Sequence, residues 1–327
     1  MSRDNTRLMN GLRGYLPRGE GITGIRTLSA GHSNKTYLVE GLDEILRMPP
    51  SAEGLLPPYD MARQHAILAA VAAHAPGVPV PRVLELCTAP AVIGDEFFLM
   101  ARVAGEAFEY TTPDWLKADP VSGPDRLCRQ WFDAIIGLHR MPARHMPAGG
   151  RSVGEEAQHW LKVAVEAQAD RDLIAVLEDL VRRPPRTSGE PTPVHGDPKH
   201  GNCLWHEGRL TAILDWEMSQ VSEPMLDLGY VLMFHDQGEA SLANAGFELP
   251  GWWSAPRMVD EWQNGTGRTA VDTARYAVLG QAKVAAIISL GAHLFTSGRT
   301  DDLRFKAFGQ VLPPFNRLLV QRAMQAG

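Results

Sequence analysis

The chain has 327 residues, 44% hydrophobic and 21% charged, which suits about two lobes around a core that needs no disulfide or metal to fold. Its net charge of -6, with no run of lysine or arginine, excludes an electrostatic footprint for nucleic acid. Three widely spaced cysteines, Cys87, Cys128 and Cys203, exclude a disulfide framework and point to a reducing, cytoplasmic setting.

The first residues, MSRDNTRLMNGLRGYLP, carry no apolar stretch of the kind a signal peptide needs. GIRTLSA (24–30), KTYLVEG (35–41) and DEILRMP (43–49) then predict short strands between turn signals. YDMARQHAILAAVAAHA (59–75) predicts a helix with Asp60 as its N-cap. VPVPRVLEL (78–86) predicts a strand, and VIGDEFFLMARVAG (92–105) a hairpin turning at Gly94-Asp95.

After Gly105 the pattern turns helical. PDRLCRQWFDAIIGLHRM (124–141) sets Leu127, Trp131, Ile135 and Leu138 on one face, and residues 154–183 predict a helix broken once. RPPRTSGEPTP (183–193) reads as an extended connector, and everything past Met225 as helix. YAVLGQAKVAAIISLGAHLF (276–295) has the length of a membrane span, but Gln281, Lys283 and His293 interrupt it, so a buried core helix and no membrane is expected. The result is an α+β chain in two lobes, residues 1–103 and 104–327. The first is small and β-rich with one helix; the second is larger and mainly helical.

Between connector and terminal helices lies VHGDPKHGNCLWHEGRLTAILDWE (194–217), dense in aspartate and histidine. It can be a metal cluster, a polar hairpin or a phosphoryl-transfer centre. His195, His200, Cys203 and His206 match no zinc spacing with a second pair, and His200 and His206 are expected at the surface. NCLW and RLTAILDW predict two strands joined at Glu207-Gly208, with Asn202 at the entry and Asp215 at the exit. Antiparallel pairing brings those ends together beside Asp197. Two of these oxygen-bearing side chains suit Mg²⁺, and the remaining aspartate can accept a hydroxyl proton.

HGDPKHGN followed by LDWE resembles the catalytic signature of the aminoglycoside phosphotransferase and choline kinase superfamily, the phosphotransferase enzyme family. LSAGHSNKTYLVE, PAVIGDEFFLMARVAGEAF and LDWEMSQVSEPMLDLGY resemble the kinase-like domain of acyl-CoA dehydrogenase family member ten type proteins. The resemblance implies a protein-kinase-like two-lobed fold and small-molecule kinase activity. It implies that Asp197 orients or deprotonates the acceptor, that Asn202 and Asp215 hold Mg²⁺ on the nucleotide phosphates, and that Asp227 and His195 fix the catalytic loop. Ser29, Gly31, Ser33 and Asn34 would cover the phosphates, and backbone groups of Ala101 and Val103 would bind adenine. Arg47 stands where the family has a phosphate-gripping lysine, and Gln64 where it has the partner glutamate. Arginine keeps the charge but is not a neutral swap, and the glutamine can only hydrogen-bond it. Glu217 is open between metal or acceptor contact and a simple salt bridge.

Eleven residues separate Asp215 from Asp227, which leaves little room for a peptide-docking activation segment. Residues 234–256 would shape the acceptor pocket; they offer Phe234, Trp252 and Trp253 but no acidic run to hold a polycation. The expected partners are ATP or GTP and a small hydroxylated acceptor, such as a hydroxyacyl-CoA or hydroxy acid, in a monomer or homodimer. The alternatives are an aminoglycoside-type antibiotic kinase and a catalytically silent nucleotide-binding relative.

Overall fold

A computed structural model describes residues 3–28, 34–50, 55–108, 112–235 and 251–327. The chain opens with α1 (Arg3–Tyr15), β1 (Gly24–Thr27), β2 (Lys35–Glu40), β3 (Glu44–Met48), α2 (Met61–His74), β4 (Val83–Cys87) and β5 (Phe97–Ala101). The strands form one antiparallel sheet in the order β1-β2-β3-β5-β4.

Alternation along the strands explains why the sheet is apolar throughout. Tyr37, Val39, Leu46, Phe97 and Leu99 point to one face and pack with Leu8, Leu12 and Leu16 in and just after α1. Leu38, Ile45, Phe98 and Met100 point to the other and pack with Ile67, Leu68 and Val71 of α2. The expected α2 cap is present, with the Asp60 carboxylate accepting from Arg63 N–H at 2.7 Å; such a cap contributes about 1 kcal/mol.

Two elements differ from the sequence reading. The helix α1 is additional; its segment is polar on average and holds Gly11 and Gly14, both weak helix formers. Gly11 has a packing reason, since a Cβ there would meet Val92 O at 2.2 Å. The hairpin expected over 92–105 is instead a β4–β5 pair. Val92 and Ile93 lie in the connecting turn, and Ile93 is buried in the α1 cluster rather than paired in the sheet.

The second part contains α3 (Asp114–Lys117), α4 (Gly123–Arg140), α5 (Val153–Glu166), α6 (Arg171–Arg182), β6 (Thr192–Val194), β7 (Cys203–His206), β8 (Arg209–Ile213), β9 (Gln220–Ser222), α7 (Met225–His235), α8 (Ala255–Thr266), α9 (Thr273–Thr296) and α10 (Leu303–Gln325). Helix α9 is long and apolar enough to cross a membrane, but its apolar stretch is mostly buried against α5, α6, α7 and α10. Its polar interruptions are satisfied inside: Gln281 Nε2 donates to Phe315 O at 3.1 Å and Gln281 Oε1 accepts from Arg322.

One apolar cluster runs from the inner sheet face through α2 into α4, α5, α7 and α9. The segment after β5 is stitched to the β7–β8 hairpin. Glu106 and Trp205 exchange backbone hydrogen bonds at 2.9 Å, and Thr211 Oγ1 donates to Ala104 O at 2.7 Å. These contacts hold the hairpin against the sheet and leave a cavity between them.

Candidate active site

The chain leaves β6 into the loop His195–Asn202, which helices grip from below. Asp227 of α7 is almost fully buried and accepts the N–H groups of His195 at 2.7 Å and Gly196 at 2.8 Å. His139 of α4 completes this anchor. Trp262 Nε1 donates to His139 Nδ1 at 2.9 Å, so the ring proton sits on Nε2 and points at Asp227 Oδ2, 3.1 Å away. Burial pushes the Asp227 carboxyl up, but His139 and His195 outweigh it and hold the group below the usual carboxylate range.

His195 faces the opposite way. Its Nε2 meets Leu214 O at 2.9 Å, its Nδ1 accepts Asp197 N–H at 3.1 Å, and its ring packs 4.7 Å from Trp216. The imidazole therefore ties the loop to the strand end that carries Asp215. Gly196 sits at φ +87°, where a Cβ would meet Met218 O at 2.6 Å. Only glycine fits that turn without displacing backbone.

Asp197, Asn202 and Asp215 are gathered by the hairpin. Cys203 pairs with Ile213, and Leu214 N–H donates to Asn202 O at 2.7 Å, which sets Asn202 beside the start of the Leu214-Asp215 turn. Asn202 Nδ2 donates to Asp197 O and to Asp197 Oδ2, both at 2.9 Å. Oδ1 of Asp197 is buried without a well-formed hydrogen bond, although the Tyr230 hydroxyl is near enough to favour the ionised form. Burial pushes this carboxyl up, yet Lys199, Tyr230, His195 and Lys283 together hold it below its ordinary value. Asp215 adopts a left-handed backbone, φ 65° and ψ 58°, that turns its carboxylate out of the hairpin line.

From the sheet, Arg47 reaches this group. The β3 alternation puts it on the same face as Ile45, toward the cavity. Its Nε donates to Gln64 Oε1 at 3.1 Å and its Nη2 to Asp215 Oδ1 at 2.8 Å. Glu217 Oε2 lies 3.7 Å from the same guanidinium and accepts Asn34 Nδ2 at 2.6 Å, so Glu217 makes a salt bridge and links the residue just before β2 to the turn after Asp215. Arg63 of α2 donates to Glu217 O at 3.0 Å and also to Ser219 O.

Arg47, Gln64, Asn202 and Asp215 open onto a cavity of about 630 Å³. Its polar end holds Arg47, Asn202 and Asp215, and its apolar walls include Leu68, Phe98, Met100, Leu204 and Ile213. Asn34 lines it, whereas Ser29, Gly31 and Ser33 lie outside the described residues. Ala101 N–H is used by Arg82 O at 2.8 Å, so Ala101 has its carbonyl, rather than its N–H, to offer a base. Val103 follows, half-buried in a mostly exposed connector, and neither Ala101 nor Val103 is among the residues that line the cavity.

Sequence reading misplaced one residue and overlooked three. His200, expected at the surface, is buried, its ring 4.9 Å from Trp252, 5.8 Å from Phe108 and 6.2 Å from Trp131. The short turn after Lys199 points the ring inward to an aromatic group that comes from three distant segments. His206 is exposed, Cys203 is buried at the start of β7, and among the described residues no three His, Cys, Asp or Glu side chains gather for a metal ion. The overlooked residues are His139, Tyr230 and Lys283. His139 and Tyr230 fall at ordinary buried helix positions, but Lys283 carries a signal, being a lysine inside the most apolar stretch of the chain.

The donor chemistry fits magnesium. The Asn202 amide nitrogen is committed to Asp197, so its Oδ1 is the atom free to face a cation. The Asp215 carboxylate is a third exposed toward the cavity and already faces a cationic group, Arg47. One carboxylate and one amide oxygen, with phosphate oxygens to add, make a hard-oxygen set.

The sequence profile of the phosphotransferase enzyme family matches residues 24–262. Acyl-CoA dehydrogenase family member 11 from Gallus gallus is 28% identical over 238 residues, covering 68% of this chain but 30% of that protein. The chain thus spans about a third of the length of the curated relatives it matches. A candidate aminoglycoside phosphotransferase from Ralstonia eutropha superimposes with a TM-score of 0.75 at 19% identity, over 97% of this chain and 98% of its own. The GDP and kanamycin complex of APH(2")-IIIa superimposes with a TM-score of 0.63 at 16% identity, over 95% and 97%. The two-lobed fold is that of these kinase-like phosphotransferases.

Proposed function

The chain belongs to the phosphotransferase enzyme family, and from that premise we propose that it transfers the γ-phosphoryl group of ATP or GTP to a hydroxyl of a small acceptor. The observation that carries this reading is that Asn202 and Asp215 meet Arg47 at the polar end of one cavity while Asn202 also holds the Asp197 carboxylate. The lobe boundary after Val103 gives each side a role: residues 1–103 hold the nucleotide, and 104–327 supply the catalytic loop and the acceptor pocket.

The apolar walls take the base, with the Ala101 carbonyl and the Val103 backbone as its polar contacts. Arg47, oriented by Gln64, binds phosphate, and Ser29, Gly31, Ser33 and Asn34 cover it. Magnesium, held by Asn202 and Asp215, would supply charge neutralisation at the phosphate oxygens. Asp197, whose Oδ2 is held by Asn202 at 2.9 Å, accepts the hydroxyl proton of the acceptor. As that proton moves to Asp197, the acceptor oxygen bonds to the γ-phosphorus, the bond to the bridging oxygen breaks, and the nucleoside diphosphate leaves. Catalysis is then mostly positioning and electrostatics.

For the acceptor we infer a neutral or anionic hydroxylated metabolite, a hydroxyacyl-CoA or hydroxy acid. Support comes from the acyl-CoA dehydrogenase relatives and from the want of an acidic run in the sequence of residues 234–256. An antibiotic acceptor is the second reading, favoured by the kanamycin-bound neighbour. Magnesium-dependent diphosphate release, screened over hydroxyacyl-CoAs, hydroxy acids and aminoglycosides, tests both. Turnover of kanamycin alone would sink the first acceptor class. ATP or GTP binding without release under any acceptor, in wild type and Asp197→Ala alike, would leave a silent nucleotide-binding protein.

A further inference from the structure

Beneath the catalytic loop lies a buried ionic group on the far side from the nucleotide cavity. Lys283 extends from α9 into the core and donates its Nζ to Gly196 O. Its ammonium lies 5.3 Å from the Trp160 ring centroid and 5.7 Å from that of Tyr230. Glu156 of α5, also buried, accepts Trp160 Nε1 at 2.6 Å, Arg151 Nε at 2.7 Å and Gln220 Nε2 at 3.0 Å. Lys283, Glu156, Gln220, Tyr230 and Gly196 line one small void of about 10 Å³, room for about one water among polar partners.

A buried lysine is costly unless it is countered and hydrogen-bonded. Its partner is informative. Asp227 holds the N–H of Gly196 at 2.8 Å, and Lys283 holds the carbonyl of the same residue, so the residue that leads into Asp197 is held on both sides. Gly196 needs such a clamp, because its φ of +87° is a conformation it would leave readily if released.

We propose that Lys283 is a positioning residue for phosphoryl transfer: by fixing the Gly196 carbonyl it sets the orientation of Asp197, with Glu156 as its buried counter-charge. This rests on the phosphotransferase reading. It requires no contact between Lys283 and nucleotide or acceptor, and it predicts an effect on turnover rather than on nucleotide binding.

The test compares wild type with Lys283→Met, which keeps length but removes the donor, and Lys283→Arg, which restores one. Turnover is measured per nucleotide-binding site, so that a misfolded fraction does not count. Lys283→Met is expected to lower kcat about 100-fold with the nucleotide KM unchanged, the size of a sub-ångström to ångström misplacement of a catalytic group; Lys283→Arg should recover a large part. Should Lys283→Met fail to fold, Lys283→Gln, too short to reach the carbonyl, is expected to show the same split. Wild-type kcat in a folded Met or Gln variant overturns the proposal, as does a fall in kcat matched by a rise in nucleotide KM. Amide hydrogen exchange separates this from the functional reading. The 194–199 peptide should exchange faster in Lys283→Met while α4 stays protected; unchanged exchange there overturns the positioning role. Faster exchange in a protein whose wild type turns over no acceptor would keep the clamp and remove the kinase assignment.

Discussion

Arg47 binds both halves of the site at once: its Nη2 lies 2.8 Å from Asp215 Oδ1 while its Nε meets Gln64 Oε1 at 3.1 Å. Because Gln64 is neutral, the guanidinium has no ion partner on α2, and its charge goes to Asp215 instead. The nucleotide with its metal would have to draw Arg47 from Asp215 toward phosphate.

Arg47→Lys should therefore keep the phosphate charge but lose the forked contact that spans Gln64 and Asp215. Loss of one charge-assisted hydrogen bond corresponds to about a tenfold rise in nucleotide KM. Arg47→Ala should cost more. Calorimetric titration with ATP and GTP checks this, and unchanged affinity in Arg47→Ala would remove the residue from phosphate binding.

Asp197→Ala should lower kcat about 1,000-fold, the scale of a lost general base, with nucleotide affinity retained. Asp215→Ala should instead weaken nucleotide binding only in the presence of magnesium. Equal nucleotide affinities with and without magnesium in wild type would contradict the metal role of Asp215 and Asn202.

Gly196→Ala is expected to be severe. A Cβ at this position would meet Met218 O at 2.6 Å and Met218 Cβ at 2.7 Å, and φ +87° is unfavourable for alanine. Strain and steric displacement together should cost about 3 kcal/mol of stability, read as a lower denaturant midpoint. A variant as stable as wild type would mean that the loop has room the packing does not show.

Glu156 gives a pH prediction. Burial pushes its carboxyl up, but Lys283, Arg151, Gln220 and Trp160 bring it from an ordinary 4.5 down to about 2. A depressed carboxylate stabilises the folded state fully above its unfolded value and loses that contribution as pH falls through the folded value. The window is thus pH 4.5 down to about 2, and the contribution is about 3 kcal/mol. Thermal denaturation of Glu156→Gln should show lower stability at pH 7 and a flatter acid limb. Parallel acid limbs in both proteins would refute this.

Much of the site was legible from local spacing. Asp197, Asn202 and Asp215 lie within one short loop and hairpin, so a turn at Glu207-Gly208 and antiparallel register were enough to bring them together. Asp60 at the head of α2 followed from its N-cap signal, and Gln64 facing Arg47 from the resemblance to the phosphotransferase family. The helix α1 was not legible, because two glycines and a polar average hide the sparse Leu8, Leu12 and Leu16 stripe that packs on the sheet. His200 was misread because its surroundings, Phe108, Trp131 and Trp252, come from segments that nothing in the local pattern relates to it.

The sequence by itself determined which residues are candidates for the chemistry and in which local elements they sit, since motif spacing, alternation and turn signals act over a few residues. The tertiary structure decided how those residues are held. His139 meets Asp227 across 88 positions of the chain, and Lys283 meets Gly196 across 87. No periodicity links such pairs; they exist because α4, α7 and α9 pack together around the loop and leave their few buried polar groups no partners but one another.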